Sequence, residues 1–227
     1  MNQAESEALF GRMLDGGLPD EVIAATLIEL AERGETAAEV AGAVRAMRAR
    51  MKRITAPAGA IDVCGTGGDG QHSLNVSTAV ALVVAACEVP VAKHGNRAAS
   101  SLAGGADTLE ALGLNLARAS DMAEETLADL GIAFLFAQAH HPALGRIAPI
   151  RKALGRRTIF NLLGPLANPA GVTRQLVGVS HPSLIALYRD TMQLLGSEAA
   201  LIVSGAEGLD ELSIAGTSYC AAIGLPH

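Results

Sequence analysis

The sequence predicts an α/β protein in which a small helical domain precedes a larger domain with a mostly parallel sheet. Residues 1–53 carry apolar side chains at spacings of three and four, which is typical of amphipathic helices. From residue 54 onwards, short apolar runs alternate with helical segments, and this order is typical of a parallel sheet covered by helices. We therefore expect two domains, at 1–53 and 54–227.

The first domain is predicted to consist of three helices, at 5–14, 19–33 and 36–51. Glycines at positions 16, 17 and 34 separate these segments. Pro19 suits the first turn of the second helix, and Thr36 can cap the third. We expect these helices to form a small bundle.

The second domain is predicted to alternate five strands with five helices. The strands are expected at 60–64, 89–92, 133–136, 175–179 and 200–203. The helices are expected at 77–87, 108–113, 122–130, 142–154 and 182–195. The segment 158–170 breaks this alternation with two prolines, and we expect it to be a bent connector that returns to the helical domain.

Composition and charge limit the possible partners. The 227-residue chain has a formal net charge of −6, which gives no general attraction to nucleic acid or to an anionic membrane. The first eight residues lack the apolar core of a signal peptide, and the apolar run at 76–87 is too short to span a bilayer. Cys64, Cys87 and Cys220 form no CxxC pair, so we expect a reduced, cytoplasmic protein.

A glycine-dense loop at 65–70 follows the first predicted strand, and a helix is predicted to begin shortly after it. Glycines let a loop turn its N–H groups towards an anion, and the start of a helix adds partial positive charge. Asp69 and Ser77 add oxygen atoms of the kind that bind magnesium. The sequence therefore predicts a site for a phosphorylated substrate.

A second group of polar residues lies at 93–97, with serines at 100 and 101. We expect a tight turn directly after a strand, in which Lys93 and Arg97 supply positive charge to the same phosphates. A solvated basic turn is the alternative for a lysine–histidine pair on its own. The nearby serines and glycines favour the phosphate site.

Three further polar groups lie near predicted strand or helix ends. Asp210 and Glu211 are adjacent acids after a strand; such acids are usually solvated, but in a loop both can reach one Mg²⁺ ion. Arg151 can bind the carboxylate of a second substrate. Asp107, with Glu110 three residues later, is predicted to be a helix N-cap with a structural role only.

These residues together resemble the anthranilate phosphoribosyltransferase family. The matching segments lie at 65–69, 75–78, 93–97, 100–101, 106–107, 151–166 and 208–213. The resemblance implies transfer of the phosphoribosyl group of PRPP (5-phosphoribosyl 1-diphosphate) to the amine of anthranilate, with Mg²⁺ and release of pyrophosphate. It also implies a nucleoside phosphorylase/phosphoribosyltransferase type of fold and a homodimer formed through the helical domain.

The resemblance further implies a role for individual residues. The PRPP site would contain Gly65, Gly68, Asp69, Ser73, Asn75, Val76, Ser77, Thr78, Lys93, Asn96, Ser101 and Gly105. Anthranilate would contact Gly65, His94, Asn96 and Arg151, and Mg²⁺ would bind Ser77, Asp210 and Glu211. Lys93 and Asp69 would be catalytic, while Gly105 stands where the family often has a serine.

The resemblance is expected to end near residue 216, and because family members continue further, the α/β domain is expected to be C-terminally incomplete. Three alternatives remain beside the transferase. They are an inactive truncated product, a non-catalytic relative that binds nucleic acid, and a pyrimidine nucleoside phosphorylase. The negative net charge argues against nucleic acid, and the segment 93–101 lacks the lysine–serine signature of the phosphorylase.

Overall fold

The computed structural model describes residues 1–71, 74–98 and 103–225. The chain begins with three helices, α1 (Gln3–Leu14), α2 (Asp20–Arg33) and α3 (Ala37–Arg48). All three were predicted, although the third ends at Arg48 rather than at residue 51. Thr36 caps α3, since its hydroxyl accepts a hydrogen bond from the N–H group of Glu39 at 3.3 Å.

The close contact between α1 and α3 depends on a glycine. A Cβ atom on Gly42 would overlap the Gln3 carbonyl oxygen and the Ser6 side chain. The Ser6 hydroxyl donates to the Glu39 carbonyl at 2.7 Å, so the two helices also share a buried hydrogen bond. Only a residue without a side chain allows the two backbones to approach this closely.

The Glu39 carboxylate is a buried charge that joins the helices of this bundle. It accepts hydrogen bonds from both terminal nitrogens of Arg33, at 3.2 and 2.8 Å, and from the backbone N–H of Thr36 at 3.0 Å. The amino group of Met1 donates to it at 2.9 Å. Burial alone raises the pKa of a carboxyl, but these donors outweigh burial and lower the pKa of Glu39 to about 2.

A six-stranded sheet follows, and its first five strands are parallel. The strands are β1 (Ile61–Gly65), β2 (Val91–Gly95), β3 (Ile132–Phe136), β4 (Arg174–Gly178), β5 (Ala199–Gly205) and β6 (Ser218–Ile223). Their order across the sheet is β3-β2-β1-β4-β5-β6, with β6 antiparallel to β5. This arrangement confirms the predicted fold class.

Helices of the α/β part pack against the sheet. They are α4 (Val76–Ala86), α5 (Gly105–Ala111), α6 (Leu116–Asp121), α7 (Ala123–Leu130), α8 (Ala137–His140), α9 (Leu144–Leu154) and α11 (Leu184–Leu194). The two short helices α6 and α8 were not predicted, because segments of four to six residues show little periodicity. Among the described residues, no helix is both long and apolar enough to cross a membrane.

Strand β6 was also missed by the sequence prediction. It lies at the edge of the sheet, and its side chains are half-buried or exposed, including Tyr219 and Cys220. An edge strand with little burial has only a weak apolar pattern, so the sequence offered no clear signal. The register is nevertheless regular, running from Ala200 opposite Ile223 to Gly205 opposite Ser218.

The segment 158–170 contains α10 (Phe160–Leu163) and a 3₁₀ turn (Gly164–Leu166). It packs against the N-terminal helices: the Phe160 ring meets the Phe10 ring edge-on, with centroids 5.8 Å apart. Arg48 of α3 donates to the Leu166 carbonyl at 2.9 Å. One continuous apolar core therefore runs from the helical segment through these turns to the sheet.

We predict that Glu39→Gln destabilises the protein in a pH-dependent way. The folded-state pKa of Glu39, about 2, lies below the ordinary value of 4.5, so the charge stabilises the fold above about pH 4.5. This stabilisation is lost as the pH falls towards 2. Urea unfolding followed by circular dichroism should give a loss of about 1–3 kcal/mol in the free energy of unfolding at pH 7 and a smaller loss at pH 3.

Glu29→Gln is the matched control, because Glu29 is exposed on α2. It should change the free energy of unfolding by less than about 0.5 kcal/mol at either pH. A Glu39→Gln effect of the same size at pH 7 and pH 3 would contradict the role given to the charge.

Candidate active site

The candidate site is a cleft of about 740 Å³ at the carboxyl ends of β1 and β4. The strand order reverses between these two neighbours, because the chain continues from β1 to β2 on one side and returns to β4 on the other. Ligands of open parallel sheets bind at such reversal points. The Thr66 N–H donates to the Gly178 carbonyl at 2.9 Å, and the Ser180 N–H donates to the Thr66 hydroxyl at 3.1 Å.

The glycine loop after β1 forms one wall of the cleft. Gly67, Gly68 and Gly70 have φ values of 63°, 74° and 70°, a left-handed conformation that favours glycine. The side chain of Asp69 lines the cleft, and its Oδ2 atom is buried without a hydrogen-bond partner among the described residues. A buried carboxylate oxygen without a partner is costly, so this atom is suited to a ligand that supplies a donor or a cation.

The segment that carries Asp210 reaches the glycine loop because two strand ends lack side chains. The N–H of Gly67 donates to Asp210 Oδ2 at 2.8 Å. A Cβ on Gly178 would overlap the Asp210 carbonyl, and a Cβ on Gly65 would crowd its carboxylate. The position of the acids in the cleft therefore depends on Gly65 and Gly178, and the second of these was not predicted.

Lys93 lies inside strand β2, which corrects the expectation of a tight turn after the strand. The strand runs through Gly95, because pairing with β3 continues along all five residues. The Lys93 side chain is only 4% exposed, and its ammonium donates to the Val63 carbonyl at 2.7 Å and to the Ser77 hydroxyl at 3.1 Å. Burial lowers the pKa of Lys93, while the nearby charge of Asp62 raises it.

Arg97 does not supply free charge to the cleft as expected. Its guanidinium donates to Asp107 Oδ1 at 2.9 Å and to Glu110 Oε2 at 2.7 Å, so its charge is compensated by α5. The predicted N-cap role of Asp107 is also wrong, since α5 begins at Gly105 and Asp107 lies within its first turn. The carboxylate instead accepts hydrogen bonds from backbone N–H groups.

The environment of the acidic residues in the cleft disfavours their ionised forms. Burial raises the pKa of Asp210. Burial and the charge of Asp210 raise the pKa of Glu211 to about 7, and Lys93 opposes this rise. The site therefore favours a cation beside these carboxylates.

The residues expected to hold magnesium line the same cleft. They are Ser77, Asp210 and Glu211. Among the described residues, no group of three or more histidine, cysteine, aspartate or glutamate side chains is arranged to hold a metal ion. The donor chemistry nevertheless fits Mg²⁺, because hydroxyl and carboxylate oxygens are its usual protein ligands and Asp69 Oδ2 lacks a partner.

The remaining residues predicted for PRPP lie on two sides of the cleft. Asn75, Val76 and Thr78 line it from the start of α4, and Asn96 and Gly105 line it from the other side. A Cβ on Gly105 would lie 3.0 Å from the Thr78 hydroxyl, which leaves little room for a serine without a shift. The predicted residues Ser73 and Ser101 lie outside the described residues.

A histidine pair and Arg151 also line the cleft. His94 Nδ1 contacts the Gly164 carbonyl at 3.1 Å, and the His94 and His141 rings are 5.2 Å apart. Burial lowers the pKa of His94 to about 3 and that of His141 to about 4, so both rings are neutral at neutral pH. The Arg151 guanidinium lies over the Phe160 ring, 5.7 Å from its centroid. These residues together suit an aromatic ligand with one negative charge.

Known protein families match both parts of the chain. Residues 58–224 match the a/b domain of a glycosyl transferase family, and residues 1–51 match the helical bundle domain of a glycosyl transferase family. An anthranilate phosphoribosyltransferase of Novosphingobium aromaticivorans is 67% identical over 223 residues, which are 98% of this chain and 68% of that protein. The chain belongs to the anthranilate phosphoribosyltransferase family.

Solved structures of the family share this fold. The anthranilate phosphoribosyltransferase of Thermus thermophilus is 42% identical with a TM-score of 0.91, over 99% of this chain and 68% of that one. The Saccharomyces cerevisiae enzyme in complex with PRPP and Mg is 30% identical with a TM-score of 0.80, over 89% and 60%. Its complex with 4-fluoroanthranilate is 27% identical with a TM-score of 0.86, over 98% and 64%.

The match to the family extends further along the chain than the sequence motifs indicated. The family model reaches residue 224, so the expected end of the resemblance near residue 216 is wrong. The segment beyond 216 contains β6, whose weak apolar pattern carries no motif. The chain spans about two thirds of the length of the curated relatives it matches.

Sequence analysis missed a buried polar network behind the cleft. The Asp62 carboxylate accepts hydrogen bonds from the His94 N–H at 3.0 Å and from Asn168 Nδ2 at 2.8 Å. Asn168 Nδ2 also donates to the Ala92 carbonyl at 2.8 Å. The signal was an acid inside the apolar run at 60–64, where a charge is costly unless it has partners.

We predict that Gly178→Ala displaces the segment 208–211. The added Cβ would overlap the Asp210 carbonyl, and overpacking of this kind costs about 1–3 kcal/mol. Urea unfolding should show this loss. Hydrogen exchange measured by mass spectrometry should be faster in peptides that cover 206–213.

Gly145→Ala is the control, because a Cβ at this position of α9 would meet no atom within 4 Å. It should leave stability unchanged or raise it by up to about 1 kcal/mol. Equal behaviour of the two variants would contradict the importance of the Gly178–Asp210 contact.

Proposed function

We propose that this chain transfers the 5-phosphoribosyl group of PRPP to the amine of anthranilate, as a step in tryptophan biosynthesis. The products are N-(5-phosphoribosyl)anthranilate and pyrophosphate. The observation that carries the proposal is one cleft lined by two chemically different sets of residues. One set is the glycine loop with Lys93 and the acids, and the other is the neutral histidines with Arg151.

PRPP would bind at the glycine loop, with its pyrophosphate towards the start of α4. The N–H groups of the loop and the ammonium of Lys93 supply positive charge there. The proposed contacts are Gly65, Gly68, Asp69, Asn75, Val76, Ser77, Thr78, Lys93, Asn96 and Gly105, together with Ser73 and Ser101. The S. cerevisiae relative was solved in complex with PRPP and Mg, which supports PRPP as the ligand.

Anthranilate would bind beside the histidines and Arg151. Arg151 would hold its carboxylate, and the ring would lie beside His94, with Gly65 and Asn96 between the two substrates. Because the pKa of His94 is about 3, its ring is uncharged at neutral pH. An uncharged ring can pack against the anthranilate ring and does not compete with Arg151 for the anthranilate carboxylate. The S. cerevisiae relative was solved in complex with 4-fluoroanthranilate, which supports an anthranilate as the second ligand.

The reaction breaks the bond between the anomeric carbon and the pyrophosphate oxygen and forms a bond from that carbon to the anthranilate nitrogen. The amine then loses one proton to water. An aromatic amine is uncharged and nucleophilic at neutral pH, so no strong base is required. Catalysis comes from positioning and from stabilisation of the leaving pyrophosphate by Lys93 and loop N–H groups.

We also propose that Ser77, Asp210 and Glu211 hold Mg²⁺, with Asp69 close to it. When bound, the ion would neutralise the pyrophosphate charge. The unfavourable burial of Asp210 and Glu211 supports this proposal, because a cation lowers the cost of keeping both carboxylates ionised.

Three broader features belong to the same proposal. The chain would divide into a helical domain at 1–53, joined by the 158–170 connector, and an α/β domain at 54–227. The helical domain would form the interface of a homodimer. Free Cys64, Cys87 and Cys220 support a reducing location such as the cytoplasm.

Anthranilate fluorescence tests the proposed reaction. With purified protein, PRPP and Mg²⁺, we expect the anthranilate emission to fall while pyrophosphate is released in equal amount. A sample without PRPP is the control. Constant emission from protein that is folded by circular dichroism would contradict the proposal, and phosphorolysis of a pyrimidine nucleoside by that sample would identify the phosphorylase instead.

We predict that the double variant Asp210→Asn and Glu211→Gln needs more magnesium. Removal of two carboxylate ligands should raise the Mg²⁺ concentration for half-maximal activity by about 10- to 100-fold. Titration of activity with Mg²⁺ at fixed PRPP measures this. Glu207→Gln is the control, because it removes an exposed carboxylate from the same segment. It should change the Mg²⁺ concentration for half-maximal activity by less than about twofold. Equal Mg²⁺ requirements for all variants would exclude Asp210 and Glu211 as ligands.

A further inference from the structure

Helix α5 connects the two halves of the phosphate end of the cleft. Asp107 Oδ2 accepts hydrogen bonds from the N–H of Ala98 at 2.9 Å and from the N–H of Gly104 at 2.8 Å. Its Oδ1 atom accepts from Arg97 at 2.9 Å. One carboxylate thus joins the turn after β2 to the first turn of α5.

The same turn packs directly on the helix start. A Cβ on Gly104 would overlap Ala98 N and the backbone of Arg97 and Asn96. The N–H of Ala106 donates to the Asn96 carbonyl at 3.2 Å. The backbone of Asn96 therefore has its position fixed by α5.

Helix α5 also reaches the other half of the site. The Asn75 side-chain amide donates to the Thr108 hydroxyl at 2.6 Å, and Thr108 follows Asp107 in the helix. Asn75 directly precedes α4, which follows the glycine loop, whereas Asn96 directly follows β2. Neighbouring residues of one short helix thus bind both of these segments.

Asp107 does not itself face the cleft. Asn96, Ala98, Gly104 and Gly105 line the cleft, whereas Asp107 is not among its lining residues. Both carboxylate oxygens are already occupied by donors of the protein. The Asp107 carboxylate therefore holds residues of the cleft wall in position and does not bind a ligand itself.

We propose that Asp107 is a positioning residue for PRPP, which holds the 96–98 turn at the distance from the glycine loop that the substrate requires. This inference rests on the proposed function. Loss of the carboxylate would release the turn from α5 while the sheet and its strands keep their own hydrogen bonds. PRPP binding would then weaken more than the fold.

Three variants separate this role from a general loss of stability. Asp107→Ala removes all three hydrogen bonds. Asp107→Asn keeps an oxygen for the backbone N–H groups but turns a donor towards Arg97. Glu110→Gln is the matched control, because Glu110 binds Arg97 from the same helix without contacting the 96–98 backbone.

We expect the KM for PRPP to rise about 10- to 100-fold in Asp107→Ala, as for the loss of hydrogen bonds to a charged group. The increase should be smaller in Asp107→Asn and below about twofold in Glu110→Gln. Calorimetric titration with PRPP should give the same order of affinities. Hydrogen exchange should be faster in peptides from 96–104 of Asp107→Ala, with little change in β1 or β4.

Two outcomes would overturn the inference. One is an unchanged KM and an unchanged affinity for PRPP in both Asp107 variants, although hydrogen exchange at 96–104 is faster. The other is an equal effect in Glu110→Gln and Asp107→Asn, and the Asn variant provides the test if the Ala variant fails to fold. Failure of the wild type to bind PRPP would instead contradict the proposed function, so the two failures are distinguishable.

Discussion

Parallel pairing between β1 and β4 is the constraint on which the cleft depends. The register aligns Gly65 with Gly178, so two residues without side chains stand next to each other at the carboxyl ends of the strands. The space above them admits the backbone of Asp210. The reversal of strand order at the same place turns the following loops apart and opens the cleft between them. The shape of the cleft therefore follows directly from how β1 and β4 pair in the sheet.

A buried polar network supports the cleft from below. Asp62 and Lys93 are both buried, and Asp62 is linked to the connector through Asn168. Each charge would be costly alone in an apolar interior. Asp62 accepts hydrogen bonds from the His94 N–H and Asn168 Nδ2, and Lys93 donates to the Val63 carbonyl and the Ser77 hydroxyl. The network joins β1, β2 and the 158–170 segment, and that segment packs in turn on the N-terminal helices. The helical part thus supports the segment that binds Asp62.

The sequence predicted most of what depends on local pattern. Apolar periodicity located the three first helices and five strands, and most of the motif residues line the cleft. The sequence could not predict contacts that depend on three-dimensional packing. Examples are the approach of Asp210 to Gly178 and the pairing of the Arg97 charge with acids of α5. Strand β6 was missed because an edge strand buries little, and Lys93 was placed in a turn because a lysine rarely lies inside a buried strand.

Lys93 also bears on the selectivity of the cleft. Its ammonium has lost its water and its rotamer freedom during folding, since the strand fixes its backbone and Val63 fixes its tip. An anion that binds does not have to displace water from the Lys93 ammonium. Desolvation of the lysine therefore takes little from the attraction between the anion and the ammonium. A neutral molecule of the same shape would gain no such attraction to the ammonium. The buried lysine therefore discriminates by charge as much as by shape.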